Sequence, residues 1–211
     1  MFDALFTTTT EYKKLSHALS GKGACALFGL PASGRAQVYA ALCRQLDKPL
    51  CIVTPGEAEA TRFAADLNTL GIPAAVFPAR DYVLRPIEGT AREYEYRRLA
   101  VLGELVGGRL RAVAVPAEAL TQFTTPKEDF CANTRTLHAG DTLLRDDLLA
   151  ALCGAGYTRR AQVDGPGQFS VRGDIVDIFA PDQKMPVRME FWGDEIDSLH
   201  TFDLTTQRRE D

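Results

Sequence analysis

The sequence is poor in the residues that build metal centres and disulfide frameworks. It contains five cysteines and three histidines in 211 residues, and no two cysteines form a CxxC pair. His17, His138 and His200 lie far apart, without the spacing of zinc ligands. An odd number of unpaired cysteines indicates reduced thiols rather than the disulfides of a small secreted domain. Cys25, Cys43 and Cys51 fall in apolar runs, so we expect core thiols there and no metal site.

Long apolar runs and an excess of basic charge are also missing. The formal net charge is −4, so no global positive field would hold the chain on nucleic acid or on an anionic membrane. No window approaches the roughly 20 apolar residues of a membrane-spanning helix, and the first residues lack the pattern of a signal peptide. These absences predict a cytoplasmic protein without a membrane partner.

Short apolar runs alternate with segments of helical periodicity over the first part of the chain. The predicted strands are 24–28, 50–53, 74–77 and 112–115, and the predicted helices are 36–46, 57–70 and 93–106. Apolar strands that alternate with helices are typical of a parallel sheet covered by helices on both faces. The sequence therefore predicts an α/β domain with a parallel sheet.

The pattern changes after Thr124-Thr125-Pro126. A short helix is expected at 146–153, and the residues beyond it alternate between apolar and polar. The alternating apolar residues are Phe169, Val171, Ile175, Val176, Ile178, Val187, Met189 and Phe191. This part of the sequence predicts a small antiparallel α+β domain.

A glycine-rich turn follows the first predicted strand. Residues 29–36 have the glycine spacing of the phosphate-binding loop G-x-x-x-x-G-K-[ST]. Arg35 stands in place of the lysine, and Ala36 in place of the hydroxyl that binds Mg²⁺. Without that hydroxyl the metal loses a ligand, and with it transition-state stabilisation. We interpret Gly29, Gly34, Arg35 and Ala36 as a degenerate phosphate loop; the alternative is a tight turn without that ancestry.

Two segments near the end of the chain carry a specific motif. Residues 167–179 read GQFSVRGDIVDIF, and residues 188–197 read RMEFWGDEID. They resemble the segment shared by the excision-repair protein UvrB and the transcription-repair coupling factors. The part of the chain before this segment resembles, more weakly, the helicase-like domain that opens the same proteins. The resemblance implies a degenerate helicase-like domain at 1–126, a UvrA-binding domain at 127–205, and a return into the first domain starting at 206–211.

Two departures from UvrB favour the coupling factors. UvrB keeps a lysine in its phosphate loop, whereas this loop ends in Arg35-Ala36. UvrB also carries a long tyrosine-rich hairpin that clamps DNA, where this chain has only residues 81–90. The resemblance then implies a non-catalytic module that recruits UvrA to stalled RNA polymerase during nucleotide excision repair.

Further expectations and two alternatives follow from the resemblance. The module itself needs no cofactor, whereas the motor of the full-length family protein uses ATP and Mg²⁺. RNA polymerase and DNA are contacted by the rest of that protein. One alternative is a fragment of a UvrB-type DNA-dependent ATPase or helicase. The other is a clamp that packs on the motor domains of its own chain.

The resemblance also implies the docking residues. The family's docking arginines and aromatic fall on Arg172, Arg188 and Trp192, and the neighbouring Glu190 completes the patch. In addition, Arg188, Glu190 and Trp192 follow each other at intervals of two residues, which places them on one face of a strand. An exposed tryptophan beside arginines is typical of an interface hot spot. The alternative is that Trp192 lies in the core and the arginines form a solvated face.

Overall fold

The computed structural model describes residues 7–21, 24–46, 48–80 and 92–210. The chain forms two compact units. The first comprises the described residues up to Tyr94 together with Val101–Thr124, and the second comprises Glu95–Ala100 and the described residues from Thr125 onwards. The predicted absence of a clamp hairpin at 81–90 concerns residues outside the described part of the chain.

The chain up to residue 124 alternates helices with strands. Its elements are α1 (Thr10–Ser20), α2 (Ala32–Gln45), β1 (Leu50–Thr54), α3 (Glu57–Thr69), β2 (Ala74–Val76), α4 (Arg92–Val106), β3 (Ala112–Pro116) and α5 (Ala117–Leu120). The three strands form a parallel sheet in the order β1-β3-β2. Leu50 of β1 and Ala74 of β2 both pair with Ala112 of β3. The predicted parallel α/β arrangement is confirmed.

Helices cover the two faces of this sheet unequally. On one face Ala114 belongs to a core cluster with Phe63 of α3, and on the other face Val115 packs with Val101 of α4. All five residues of β3 are buried. On β1, however, Val53 is 55% exposed. The prediction of cover on both faces therefore holds for the central strand and is wrong for β1, which lies at the edge of the sheet.

The strand predicted at 24–28 is wrong. These residues lie outside any strand, and all of them are exposed, with Phe28 at 88%. A strand is stabilised when a neighbouring backbone completes its hydrogen bonds. An apolar sequence does not by itself supply that neighbour, and none pairs with these residues in the described part of the chain.

The five cysteines are free thiols. Cys43 is buried, as predicted, and burial raises the pKa of its thiol. Cys25 and Cys51 are exposed, so their prediction as core residues is wrong. Cys25 lies in the unpaired segment, and Cys51 points from the open face of β1.

The second unit is built around a mixed sheet. Its main elements are α6 (Lys127–Ala132), α7 (Arg145–Gly154), β4 (Thr158–Arg159), β5 (Gln168–Arg172), β6 (Ile175–Phe179), β7 (Val187–Trp192) and β8 (Glu195–Thr201). The five strands lie in sequence order, with β4 parallel to β5 and the other neighbours antiparallel. Leu148 and Leu152 of α7 pack against Phe169, Val176 and Met189 on one face of the sheet. The predicted small α+β domain is confirmed.

Within the described ranges, no helix is long and apolar enough to cross a bilayer.

Candidate functional site

Two hairpins of the second unit present predicted docking residues at the same end of the sheet. Gly173-Asp174 joins β5 to β6, and Gly193-Asp194 joins β7 to β8. The two glycines have φ of 61° and 62°, as the first position of a type II′ turn requires. Because β5 and β7 are both antiparallel to β6, Arg172 and Trp192, which directly precede the turns, emerge at one end of the sheet.

Strand alternation separates a core face from a second face, here called the outer face. In β7, Met189 and Phe191 are buried in the core, and the residues between and beyond them point the other way. Trp192 is 83% exposed. The alternative that Trp192 is a core residue is therefore wrong.

The register of the strands brings the predicted docking residues onto the outer face. Arg172 pairs with Ile175, and Ile175 pairs with Glu190, so the backbones of Arg172 and Glu190 are two strand spacings, about 10 Å, apart. The neighbouring row across the sheet consists of Ser170, Asp177, Arg188 and His200. All four predicted docking residues thus share one face.

A buried carboxylate lies at the centre of the outer face. The side chain of Asp177 is 1% exposed. Its Oδ1 accepts a hydrogen bond from Nε of Arg188 at 2.7 Å, and its Oδ2 accepts from Nη2 of Arg188 at 2.9 Å and from Nη2 of Arg172 at 2.7 Å. The hydroxyl of Ser170 donates to Oδ2 at 3.4 Å. These charge-assisted bonds compensate the cost of burying the carboxylate.

The two arginines differ in what they offer to a partner. The side chain of Arg188 is 15% exposed, and that of Arg172 is 49% exposed. The guanidinium carbon of Arg188 lies 4.5 Å from the ring centroid of Phe202. The hydrogen bond to Asp177 raises the pKa of Arg188 above its usual value. Arg188 is therefore held inside the surface, whereas Arg172 presents its charge to solvent.

The turn after β8 supplies contacts to Arg188 that no motif predicted. Gln207 accepts hydrogen bonds from Arg188, from Nη1 to its backbone carbonyl at 3.4 Å and from Nη2 to its Oε1 at 3.3 Å. The carboxylate of Asp203 stabilises this turn by accepting from the backbone N–H groups of Thr205 and Thr206 at 3.1 and 2.7 Å. These bonds lower the pKa of Asp203, and the bond from Thr206 has the largest effect.

The chain end described by the structure packs on the second unit. The backbone N–H of Glu210 donates to the carbonyl of Thr201 at 3.0 Å, and Phe202 pairs with Arg209 in an isolated bridge. The resemblance implies that a return into the first domain starts at 206–211; the described residues 206–210 belong to the second unit and bond beside the end of β8.

A second ion pair fixes the turn between β5 and β6. Nη1 of Arg145, at the start of α7, donates to Oδ1 of Asp174 and to the backbone carbonyl of Gly173, both at 2.9 Å. The side chain of Asp174 is 78% exposed. Asp174 thus pairs with Arg145, whereas Arg172 pairs with Asp177.

Comparison with known proteins matches most of the chain. Residues 136–211 match the family model described as the UvrB interaction domain. The chain is 38% identical over 186 residues to the transcription-repair-coupling factor of Mycobacterium tuberculosis (strain CDC 1551 / Oshkosh), which covers 84% of the chain. It is 30% identical over 184 residues to that of Bacillus subtilis (strain 168), which covers 86%.

The chain corresponds to the UvrB-like module of the transcription-repair coupling factors. The family predicted from the motifs at 167–179 and 188–197 is therefore confirmed. The chain spans 15% and 16% of the length of these two relatives. The matched UvrB interaction domain contains all five strands of the second sheet, and hence the outer face.

The glycine-rich segment of this module folds differently from the predicted loop. Helix α2 begins at Ala32, so Gly34 lies within its first turn, and Gly29, with φ of 83°, lies in the turn before it. The N–H groups of Gly34 and Arg35 donate to the carbonyl of Pro31 at 2.9 and 3.2 Å. The strand expected before the loop is missing, and the helix starts inside the glycine motif.

The side chains that replace the phosphate-loop lysine and hydroxyl have other contacts. Nη1 of Arg35 lies 3.9 Å from Oε1 of Glu59 on α3. Ala36 is 3% exposed and belongs to the core cluster under the parallel sheet. Among the described residues, no group of three or more histidine, cysteine or acidic side chains is placed to hold a metal ion.

Proposed function

We propose that this module binds UvrA through the outer face of its second sheet. In the complete coupling factor it would recruit UvrA to RNA polymerase stalled at damage, while the rest of that protein contacts the polymerase and DNA and hydrolyses ATP. The observation that carries the proposal is that Trp192, 83% exposed, and the half-exposed Arg172 lie on the same face and at the same end of the sheet, within the segment that matches the UvrB interaction domain.

The outer face has the composition of a binding hot spot. A tryptophan that leaves water for a pocket on a partner buries a large apolar area, and an arginine on the same face can form a bidentate pair with a partner carboxylate. Trp192 and Arg172 each adjoin a tight hairpin turn. Little backbone ordering would then be required on binding, which favours affinity.

Calorimetry with the purified 211-residue chain and purified UvrA tests the proposal directly. We expect a saturable complex whose affinity depends on the outer face. For the recruitment step, UvrA retained on stalled polymerase is compared between the full-length coupling factor and its Trp192→Ala variant. Absence of binding to the isolated chain under conditions where UvrA is active would contradict the proposal.

We expect the chain to hydrolyse no ATP. Arg35 forms an ion pair with Glu59, and the buried Ala36 has no side-chain oxygen. A phosphate loop without its hydroxyl cannot position the metal ion. The double variant Arg35→Lys with Ala36→Thr should remain inactive and should also be less stable, because the larger side chain enters a packed core. Phosphate release with and without Mg²⁺ is measured beside an intact phosphate-loop ATPase. Mg²⁺-dependent turnover by the unmodified chain would favour the UvrB-type alternative.

We also expect no tight binding to duplex DNA. Phosphate contacts dominate non-specific affinity, and a formal net charge of −4 opposes them. Fluorescence anisotropy of a labelled duplex, titrated with the chain at two salt concentrations, should show weak and strongly salt-dependent binding. Sub-micromolar affinity at physiological salt would reveal a basic surface that the outer face does not account for.

A further inference from the structure

We infer that Asp177 is the positioning residue of the docking surface, and that it acts by holding Arg172 in place rather than by touching the partner. The inference rests on the proposed docking of UvrA by the outer face. At 1% exposure, the carboxylate of Asp177 is covered by its own chain. Its influence on a partner must pass through the side chains that cover it.

Asp177 allows the guanidinium groups of Arg172 and Arg188 to lie close together. Nη2 of Arg172 and Nη2 of Arg188 both donate to the same oxygen, Oδ2, at 2.7 and 2.9 Å. Two guanidinium groups this close repel one another unless a negative charge lies between them. The carboxylate therefore makes the arrangement possible, and the three groups together carry one net positive charge.

That positive charge reaches solvent through Arg172. Arg188 is almost covered and makes further contacts with Phe202 and Gln207. Arg172 is half exposed, and within the described part of the chain Asp177 is the hydrogen-bond partner of its guanidinium. Without that partner Arg172 would sample many rotamers. Ordering one such side chain at an interface weakens affinity by roughly two- to tenfold.

The test compares two variants that differ only in the charge at position 177. In Arg188→Gln, Asp177 keeps its bond to Arg172. In the double variant Asp177→Asn with Arg188→Gln, two amides can still bond to each other, but the charge that orders Arg172 is gone. We expect the double variant to bind UvrA about two- to tenfold more weakly than Arg188→Gln. Urea unfolding of both variants establishes that each is folded at the temperature of the binding measurement.

A second comparison separates positioning from a general structural effect. The same pair of variants is made in an Arg172→Ala background, where the charge at position 177 should no longer alter UvrA affinity. A loss that persists without Arg172 would overturn the inference. The matched control is Asp174→Asn, which removes an arginine-paired carboxylate from the same hairpin without touching Arg172, and which should bind UvrA like the unmodified chain.

The outcomes also distinguish this inference from the proposed function. Trp192→Ala could weaken UvrA binding while Arg188→Gln and the double variant Asp177→Asn with Arg188→Gln bind equally well. In that case the outer face is the docking surface, but Asp177 does not position it. If the unmodified chain and Trp192→Ala bind UvrA equally or not at all, the docking proposal fails, and the role of Asp177 fails with it.

Discussion

Replacing Trp192 by alanine should weaken UvrA binding on the order of thirtyfold or more, the effect of truncating a central hot-spot aromatic. The fold should be almost unaffected, because the side chain is 83% exposed. Surface substitutions of this kind change the free energy of unfolding by about 0.5 kcal/mol or less. Titration calorimetry and urea unfolding measure the two quantities on the same preparation.

A matched control for this substitution is Leu120→Ala. Leu120 is 55% exposed and lies in the first unit, on α5 rather than on the second sheet. Its loss removes exposed apolar surface without touching the proposed docking residues, so UvrA affinity should remain as in the unmodified chain. Equal affinity losses in both variants would indicate non-specific apolar attraction rather than a defined surface.

The single tryptophan of the chain gives a direct readout of the outer face. In the free chain its fluorescence should be quenched by acrylamide as readily as that of a solvent-exposed tryptophan. Chain labelled with fluorotryptophan should give one fluorine resonance, which should shift or broaden when unlabelled UvrA is added. A resonance unchanged at saturating UvrA would place the contact elsewhere.

Replacing Arg188 by alanine should lower the free energy of unfolding by about 2 kcal/mol or more, because the buried Asp177 would lose both bonds of its bidentate partner. Asp177, 1% exposed, would keep Arg172 and Ser170 but lose the bidentate bonds from Arg188. The cation–π contact with Phe202 and the bonds to Gln207 would be lost as well. Urea unfolding at neutral pH measures the difference.

The matched controls for Arg188→Ala are two other arginines of the same unit. Arg145 forms an ion pair with the exposed Asp174, so Arg145→Ala should cost roughly 0 to 1 kcal/mol. Arg172 is half exposed, so Arg172→Ala should lower the free energy of unfolding by about 1 kcal/mol, because solvent screens the single bond of Arg172 to Asp177. Equal stability of Arg188→Ala and Arg145→Ala would show that the buried pair contributes no more than a surface pair.

The pH dependence of this effect follows from the pKa of Arg188. The folded-state pKa is raised above the unfolded value, chiefly by the hydrogen bond to Asp177. The stability that this shift contributes is fully present below the unfolded pKa and is lost only as pH rises through the folded pKa. The stability difference between Arg188→Ala and the unmodified chain should therefore stay constant from neutral to mildly alkaline pH.

Local periodicity determined much of the fold and the face of the candidate site. The helices at 57–70 and 93–106 and the strands at 50–53 and 112–115 were predicted to within a few residues, because apolar spacing reports which side of an element is buried. Strand alternation likewise placed Arg188, Glu190 and Trp192 on one face. These features depend on the spacing of residues that are close together in the chain, so they can be predicted from the sequence alone.

Pairing between distant residues was decided by the tertiary structure. The run 24–28 is as apolar as the true strands, yet it remains unpaired because no described backbone lies beside it. Asp177, a charge within the otherwise apolar strand 175–179, was a sequence signal for a buried ion pair. Its partners, however, follow from the register of β5, β6 and β7, and Gln207 reaches Arg188 through the turn after β8. Strand alternation places both Arg172 and Arg188 on the face opposite the core, so it cannot tell which of the two is covered. Only the register of the strands shows that Arg188 is covered and Arg172 is exposed.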